Sequence, residues 1–367
     1  MIRVLILSGF LGSGKTTTIL KFVKMLNDAD QKVAIIVNEI GEIGIDGGTL
    51  ETSGIPIKQI TNGCICCSLK MSLPATITEI NNLFHPDVLI IEPTGISFPE
   101  QILNQLFEIN VMMMFSPITV LVDVSRLETE LVQIPNFINE QLQEARVVGL
   151  NKTDLATPEK IKSVEAFVKK INPDATLMHL SASKDDESVR RLYELLFNKD
   201  NSSLSSDYDA DLMTKQHLDS IEMSNVTTYS ALYHFKAPKT FSDKSAGKLL
   251  ETVVTAAGAD ISKINPHFVG HIKMAIKVGN MMVKVSQTSV SNDRKLEAEY
   301  ILQDTVFYDE DDEIELRFLS AVTNIPKEQL TQIVDQSIEV FLKAKGFPFE
   351  KHEHDDDHVH EDGQTHS

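Results

Sequence analysis

An α/β fold with a mostly parallel sheet flanked by helices is predicted by three observations. The chain opens on an apolar run, Val4-Leu5-Ile6-Leu7, that leads straight into Gly9-Phe10-Leu11-Gly12-Ser13-Gly14-Lys15-Thr16. Further short apolar runs recur at 33–37, 88–91, 117–123 and 145–150, with helix-like stretches among them. Several of these runs end in short polar motifs, Glu92-Pro93-Thr94-Gly95 and Asn151-Lys152-Thr153-Asp154 among them.

The first run reads as a buried parallel strand. The segment from Gly9 to Thr16 matches G-x-x-x-x-G-K-[ST], a glycine loop whose backbone N–H groups turn inward to make a nest for phosphate oxygens. Gly9, Gly12, Ser13, Gly14, Lys15, Thr16 and Thr17 are therefore the candidate phosphate-binding residues. Lys15 would reach the outer phosphates and take part in catalysis, and the Thr16 hydroxyl would ligate Mg²⁺. Residues 17–26 read as a helix, with Ile19, Leu20, Val23 and Leu26 on one face.

The second run, 33–37, enters a loop holding Glu39, Glu42 and Asp46 among four glycines. Segments at this place in P-loop proteins can sense the terminal phosphate. Glu39 and Glu42 are thus candidates for Mg²⁺, water or metal contacts, Glu39 with a catalytic share; a solvated loop is the plainer alternative. A short strand is expected at 57–60. After it stand Cys64, Cys66 and Cys67, the chain's three cysteines. An odd, clustered count excludes an ordinary disulfide framework and suits a reducing cytoplasm. C-x-C-C places thiolates where two or three converge on one ion such as Zn²⁺, the fourth position going to water, to Glu39 or Glu42, or to a partner's ligand. A closed structural zinc and inert buried thiols are the alternatives.

A helix is expected near 72–84, then the strand 88–91 ending in Glu92. An apolar strand ending in a carboxylate, with Gly95 close behind, has the layout of a Walker-B segment: Glu92, replacing the commoner Asp, would polarise Mg²⁺-bound water for hydrolysis, and the Gly95 N–H can meet the terminal phosphate. A helix should follow at about 99–109, and Met112-Met113-Met114 reads as packing rather than as a soft-metal site. The motif N-K-x-D at 151–154 is specific for guanine: the Asp154 carboxylate accepts from N1–H and the exocyclic amine, Asn151 bonds the base edge, and the Lys152 stem covers the ring. The loop Ser181-Ala182-Ser183 would support the base through backbone N–H groups. GTP is expected over ATP.

Length predicts two domains, since 367 residues exceed one ordinary core. The expected division is a nucleotide domain at 1–198, a linker at 199–225 rich in Asn, Ser and Asp, an α+β domain at 226–346, and a disordered His/acidic tail at 347–367. In the second domain strands are expected at 227–235, 272–278, 281–287 and 296–308, and helices at 242–257 and 326–345. His234, His267 and His271 are scattered and read as satisfied or exposed rather than as ligands. The tail interleaves His352, His354, His358, His360 and His366 with carboxylates, a pattern suited to collecting metal; a solubilising tail or an expression remnant would look similar. A net charge of −19 argues against nucleic-acid binding, and no apolar run is long enough to span a membrane.

With the P-loop, N-E-x-G-E, G-C-x-C-C, E-P-T-G and N-K-x-D in this order, residues 1 to about 200 resemble the CobW-like P-loop GTPases, relatives of the nickel chaperones HypB and UreG. Gly63-Cys64-Ile65-Cys66-Cys67 is the most specific signature. The resemblance implies a GTPase that delivers or inserts zinc, cobalt or nickel into a client metalloprotein or cofactor pathway, with a homodimer among the assemblies to be tested. It implies that Lys15 and Thr16 serve phosphate and Mg²⁺, that Asn151, Lys152 and Asp154 hold guanine, and that Cys64, Cys66 and Cys67 hold the transported metal. The alternative is a GTP-dependent activator of a corrinoid (cobalamin-type) or other cofactor enzyme, its cysteines holding a structural or sensing metal. A small α+β domain and a His-rich tail fit the same resemblance.

Overall fold

The computed structural model describes residues 1–37, 73–93, 95, 97–107, 109–197, 225–236, 241–278, 281–288, 297–301 and 313–352. The predicted α/β class holds. Strands β1 (Ile2–Gly9), β2 (Val33–Val37), β3 (Val88–Glu92), β4 (Met113–Phe115), β5 (Thr119–Asp123), β6 (Val147–Asn151) and β7 (Thr176–His179) form one sheet. Its order is β2-β3-β1-β5-β6-β7, with β4 also along β1, and every pairing is parallel.

Parallel strands need both faces covered, and β1 shows how the sequence does it. Leu5 and Leu7 face α1 (Lys15–Asp28), whose Ile19, Phe22, Val23 and Leu26 share a core with Val189, Leu192 and Leu196 of a later helix, Asp186–Phe197. Val4 and Ile6 face the opposite way, onto α2 (Leu73–Phe84) and α3 (Pro99–Phe107). The inward face of α1 uses Phe22 where the helical pattern suggests Leu20, which is only half-buried. Helices α4 (Leu127–Gln133), α5 (Pro135–Glu144) and α6 (Pro158–Ile171) complete that second face around Phe137, Val120 and Val148, and Asp186–Phe197 is α7.

The smaller second domain is an antiparallel sheet of β8 (Val226–Lys236), β9 (Gly270–Val278), β10 (Met281–Thr288), β11 (Glu297–Ile301), β12 (Glu313–Thr323) and β13 (Phe349–His352), ordered β11-β10-β9-β12-β8-β13. Helices α8 (Asp243–Ile264) and α9 (Lys327–Lys345) cover one face, burying Tyr233, Phe235, Met274, Leu316 and Phe318. Strand β12 is not among the strands that the sequence pattern predicts. Glu315 and Arg317 give it a polar look, yet Ile314, Leu316 and Phe318 alternate with them inward, and it lies between β8 and β9. Residues 349–352, which composition assigns to the tail, form the edge strand beside β8. Met113 and Met114 pack as expected, in a short strand laid along β1, with Met113 against the apolar core there. The expected strand at 57–60, the linker at 199–224 and the tail from 353 onward lie outside the described residues.

The two domains touch. Val269 and Ala321 pack into the same apolar cluster as Phe10 and Leu11 of the glycine loop. Gln133 Oε1, at the end of α4, accepts from Asn324 Nδ2 at 2.6 Å and Thr323 Oγ1 at 3.2 Å. Among the described residues no helix is long and apolar enough to cross a membrane.

One polar node holds the second domain's helix to its sheet. Asp335 on α9 accepts from the Tyr229 and Tyr233 hydroxyls at 2.7 and 2.8 Å and pairs with Lys351 Nζ at 2.8 Å. Burial, and then the hydrogen bond and charge of Asp335, push the Tyr233 phenol far above its usual range, so it remains a donor. Asp335→Ala removes the acceptor of both hydroxyls. The expected loss is about 2–3 kcal/mol, measured as a lower denaturant midpoint at unchanged slope. A loss below about 0.5 kcal/mol would show that solvent replaces the carboxylate.

Candidate nucleotide-binding site

The site gathers at the carboxyl ends of β1, β3 and β6, where an open parallel sheet turns into its helices. Gly9 ends β1, Gly12 and Ser13 shape the turn, and Gly14 caps α1 with φ +99°, in the left-handed region. A Cβ on Gly14 would stand 2.2 Å from Asn151 Nδ2, so both conformation and space require glycine there. The first N–H groups of α1 have no partner within the helix and carry its positive dipole end. Such a terminus suits an anion.

Lys15 opens α1 and is buried, with Nζ donating to Gly9 O at 2.8 Å and Phe10 O at 3.3 Å. Thr16 donates its hydroxyl to both oxygens of Glu92, at 2.9 and 3.2 Å. Glu92 ends β3 and is only 5% exposed. Hydroxyl and carboxylate are hard oxygen donors of the kind Mg²⁺ takes, so this pair fits that ion. Thr17 stands next in the first turn, half-buried. Gly95 passes so near the loop that a Cβ would sit 2.7 Å from Leu11 N.

The N-K-x-D motif stands on the other side of the loop. Asn151 is buried at the end of β6; its Nδ2 donates to Ser13 O at 2.8 Å and its Oδ1 accepts from Ala182 N at 2.9 Å. It therefore ties the phosphate loop to the Ser181–Ser183 segment. Asp154 is exposed and accepts from Ser181 Oγ at 2.6 Å. Lys152 adopts a left-handed conformation, φ 60°, and its Nζ lies 3.1 Å from Asp123 Oδ2.

Sequence reading missed that last partner and the chain of charge behind it. Asp123 is fully buried at the end of β5 and also meets Arg126 Nε at 3.2 Å. Arg126 pairs with Glu130 at 2.7 Å, and its guanidinium donates to the carbonyl of Leu11 in the glycine loop. Two pairs, Asp123–Arg126 and Arg126–Glu130, have the i,i+3 and i,i+4 spacing of one helical turn, the signal that could have found them. Buried charges are held only when paired, so this network holds the loop and Lys152 in fixed relation. Gln141 adds a brace, donating to Ser8 Oγ at 3.2 Å and Ser97 O at 3.1 Å.

Thus the structure brings together Gly9, Gly12, Ser13, Gly14, Lys15, Thr16, Thr17, Glu92, Gly95, Asn151, Lys152 and Asp154. The other candidates, Glu39, Glu42, Cys64, Cys66 and Cys67, lie outside the described residues, and among the described residues no group of three or more His, Cys, Asp or Glu is placed to hold a metal.

Comparison with known proteins adds the family. Residues 3–179 match the nucleotide-binding domain model described as CobW/HypB/UreG. The chain is 34% identical over 194 residues to the zinc chaperone YeiR of Escherichia coli (strain K12), a match covering 51% of this chain and 57% of that protein. It is 30% identical over 237 residues to zinc-regulated GTPase metalloprotein activator 1 of Dictyostelium discoideum, covering 53% of this chain and 47% of that one. It is 33% identical over 188 residues to the zinc chaperone YjiA of Escherichia coli (strain K12), covering 48% and 58%. The chain spans about half the length of these relatives. A glycine loop on β1, a carboxylate ending β3 and N-K-x-D ending β6 all lie inside the matched residues, so residues 3–179 are a nucleotide-binding domain of the CobW/HypB/UreG type.

Proposed function

We propose that the chain binds GTP with Mg²⁺ at the glycine loop, hydrolyses it, and uses the nucleotide state to control delivery of a transition metal, zinc foremost, to a client protein or cofactor pathway. One observation supports the nucleotide half of this reading: Asn151 joins Ser13 of the loop that bears Lys15 and Thr16 to Ala182, next to the Ser181 that holds Asp154. A phosphate-binding half and a guanine-reading half are thus held by one buried amide.

In the proposed reaction water attacks the γ-phosphorus, the bond from that phosphorus to the β–γ bridging oxygen breaks, and GDP, phosphate and a proton leave. Lys15 meets charge on the outer phosphate oxygens. The N–H groups at the start of α1 do the same for the inner phosphates. Thr16 and Glu92 would hold Mg²⁺, which when bound neutralises charge across the β- and γ-oxygens. Asp154 selects guanine by accepting two hydrogen bonds, and Lys152, fixed by Asp123, flanks the base.

The metal half rests on Cys64, Cys66 and Cys67, with Glu39 and Glu42, and on the names of the relatives, which speak of zinc. Its test is linkage. If GTP tightens zinc binding, zinc must tighten GTP binding by the same factor. GTP titrations with and without Zn²⁺ should therefore differ in the native chain by about 5- to 150-fold and agree in a Cys64→Ser, Cys66→Ser, Cys67→Ser variant. Equal affinities in the native chain would overturn the coupling. Activation of a client with no metal passing between the proteins would favour the activator alternative.

A further inference from the structure

The outer face of the second domain's sheet, away from α8 and α9, assembles two of the histidines that look scattered or tail-borne in the sequence. His234 on β8 pairs in register with Glu315 on β12 and with Glu350 on β13, so the three side chains share one face. His352, two residues beyond Glu350, shares it as well. The imidazoles meet edge to face, with His352 Nε2 3.0 Å from His234 Nδ1 and ring centroids 4.7 Å apart. On its other side, His234 Nε2 faces Glu315 Oε2 at 3.9 Å.

From this geometry we propose a divalent transition-metal site, independent of the nucleotide site, in which His234 ligates through Nδ1 and His352 through Nε2. Two nitrogens on one tetrahedral ion at Zn–N distances of about 2.0–2.1 Å stand roughly 3.3 Å apart. The observed 3.0 Å needs only a small opening of the pair. The outer partner is also in place. A ligating histidine characteristically donates its second ring N–H to a carboxylate, which fixes tautomer and ring orientation. Glu315 is positioned for that role toward His234 Nε2. Arg317 holds Glu315 by an ion pair, and Lys277 stands opposite it in register, so its charge is already engaged and it orients rather than ligates.

His352 is exposed, so water can reach the remaining coordination positions. Exposed Glu350, on the same row as His234, is the nearest carboxylate in register, and water can fill the rest. Neutral imidazoles with oxygen donors suit Zn²⁺, Ni²⁺, Cu²⁺ and Co²⁺, and Ca²⁺ or Mg²⁺ poorly. The site joins β8 to the edge strand β13, so metal would also pin the last strand of the domain to its sheet.

The test uses the full chain with other donors silenced: Cys64, Cys66 and Cys67 changed to Ser, and His354, His358, His360 and His366 to Gln. Zn²⁺ is titrated against a chromophoric chelator, and Co²⁺ is followed by its visible spectrum. The expected result is a single equivalent of bound metal and a Co²⁺ spectrum without thiolate charge transfer. Adding His234→Gln or His352→Gln should weaken Zn²⁺ by at least tenfold, since loss of even an outer-shell partner costs about 10- to 100-fold. Both residues lie on the outer face, and an unchanged thermal midpoint without metal would show that the variants fold. Zn²⁺ should raise that midpoint in the silenced chain and leave it unmoved in the His234→Gln chain. Unchanged affinity in both variants, or no bound equivalent in the silenced chain, would overturn the site and leave a hydrogen bond between two rings. Loss of GTP binding plays no part in either outcome, so failure here is distinguishable from failure of the nucleotide reading.

Discussion

Asp154→Asn should move the base preference from guanine to xanthine. Asp154 is exposed at the end of the β6 motif and anchored on one oxygen by Ser181 Oγ, 2.6 Å away. A carboxylate there only accepts, and guanine offers two donors, N1–H and the 2-amino group. An amide offers one acceptor and one donor, which matches the N1–H and C2 carbonyl of xanthine. Hydrogen bonds to a charged partner are worth about 1.5–3 kcal/mol each, so GTP should weaken by about 10²- to 10³-fold. Competition of GTP, XTP and ATP against a fluorescent nucleotide checks this. Unaltered GTP preference would remove Asp154 from the base site, with the phosphate half left standing.

Lys15→Ala should lower GTP turnover by about 10²- to 10³-fold, the size of effect seen when one donor aimed at developing charge is removed. Lys15 is the cation inside the glycine loop, with Nζ 2.8 Å from Gly9 O. The same bond means that the change touches the loop itself, so a thermal melt must accompany the kinetics. Lys15→Arg is the companion variant. It keeps the charge but exchanges a compact ammonium for a planar fork in a buried position, and should recover little activity. Turnover within about threefold of the native chain in Lys15→Ala, with folding intact, would place hydrolysis elsewhere.

The packing of the two domains gives the nucleotide loop a second audience. Phe10 and Leu11 share an apolar cluster with Val269 and Ala321 of the other domain, and Arg126 links Leu11 to Asp123 and, through it, Lys152. A movement of the glycine loop would therefore be felt at Lys152 and across the domain contact.

What the sequence determined by itself was the chemistry that fits in one continuous run. A phosphate nest is made of consecutive backbone N–H groups, so the residues from Gly9 to Thr16 had to announce it. N-K-x-D is equally local, and the parallel sheet showed in unbroken apolar runs because its strands are buried on both sides. Only the tertiary structure decided what depends on strand order and on packing between distant turns. Strand β12 hid behind alternating charges until its place between β8 and β9 gave Ile314, Leu316 and Phe318 a core to face. Asp123 became the partner of Lys152, and Asn151 the bridge from Ser13 to Ala182, because β6 ends between β5 and β7. His234 and His352 lie 118 positions apart in the chain and meet because β13 closes the sheet beside β8. Sequence spacing carries no trace of such a meeting, since a side chain's neighbours across a sheet are set by register and not by separation along the chain.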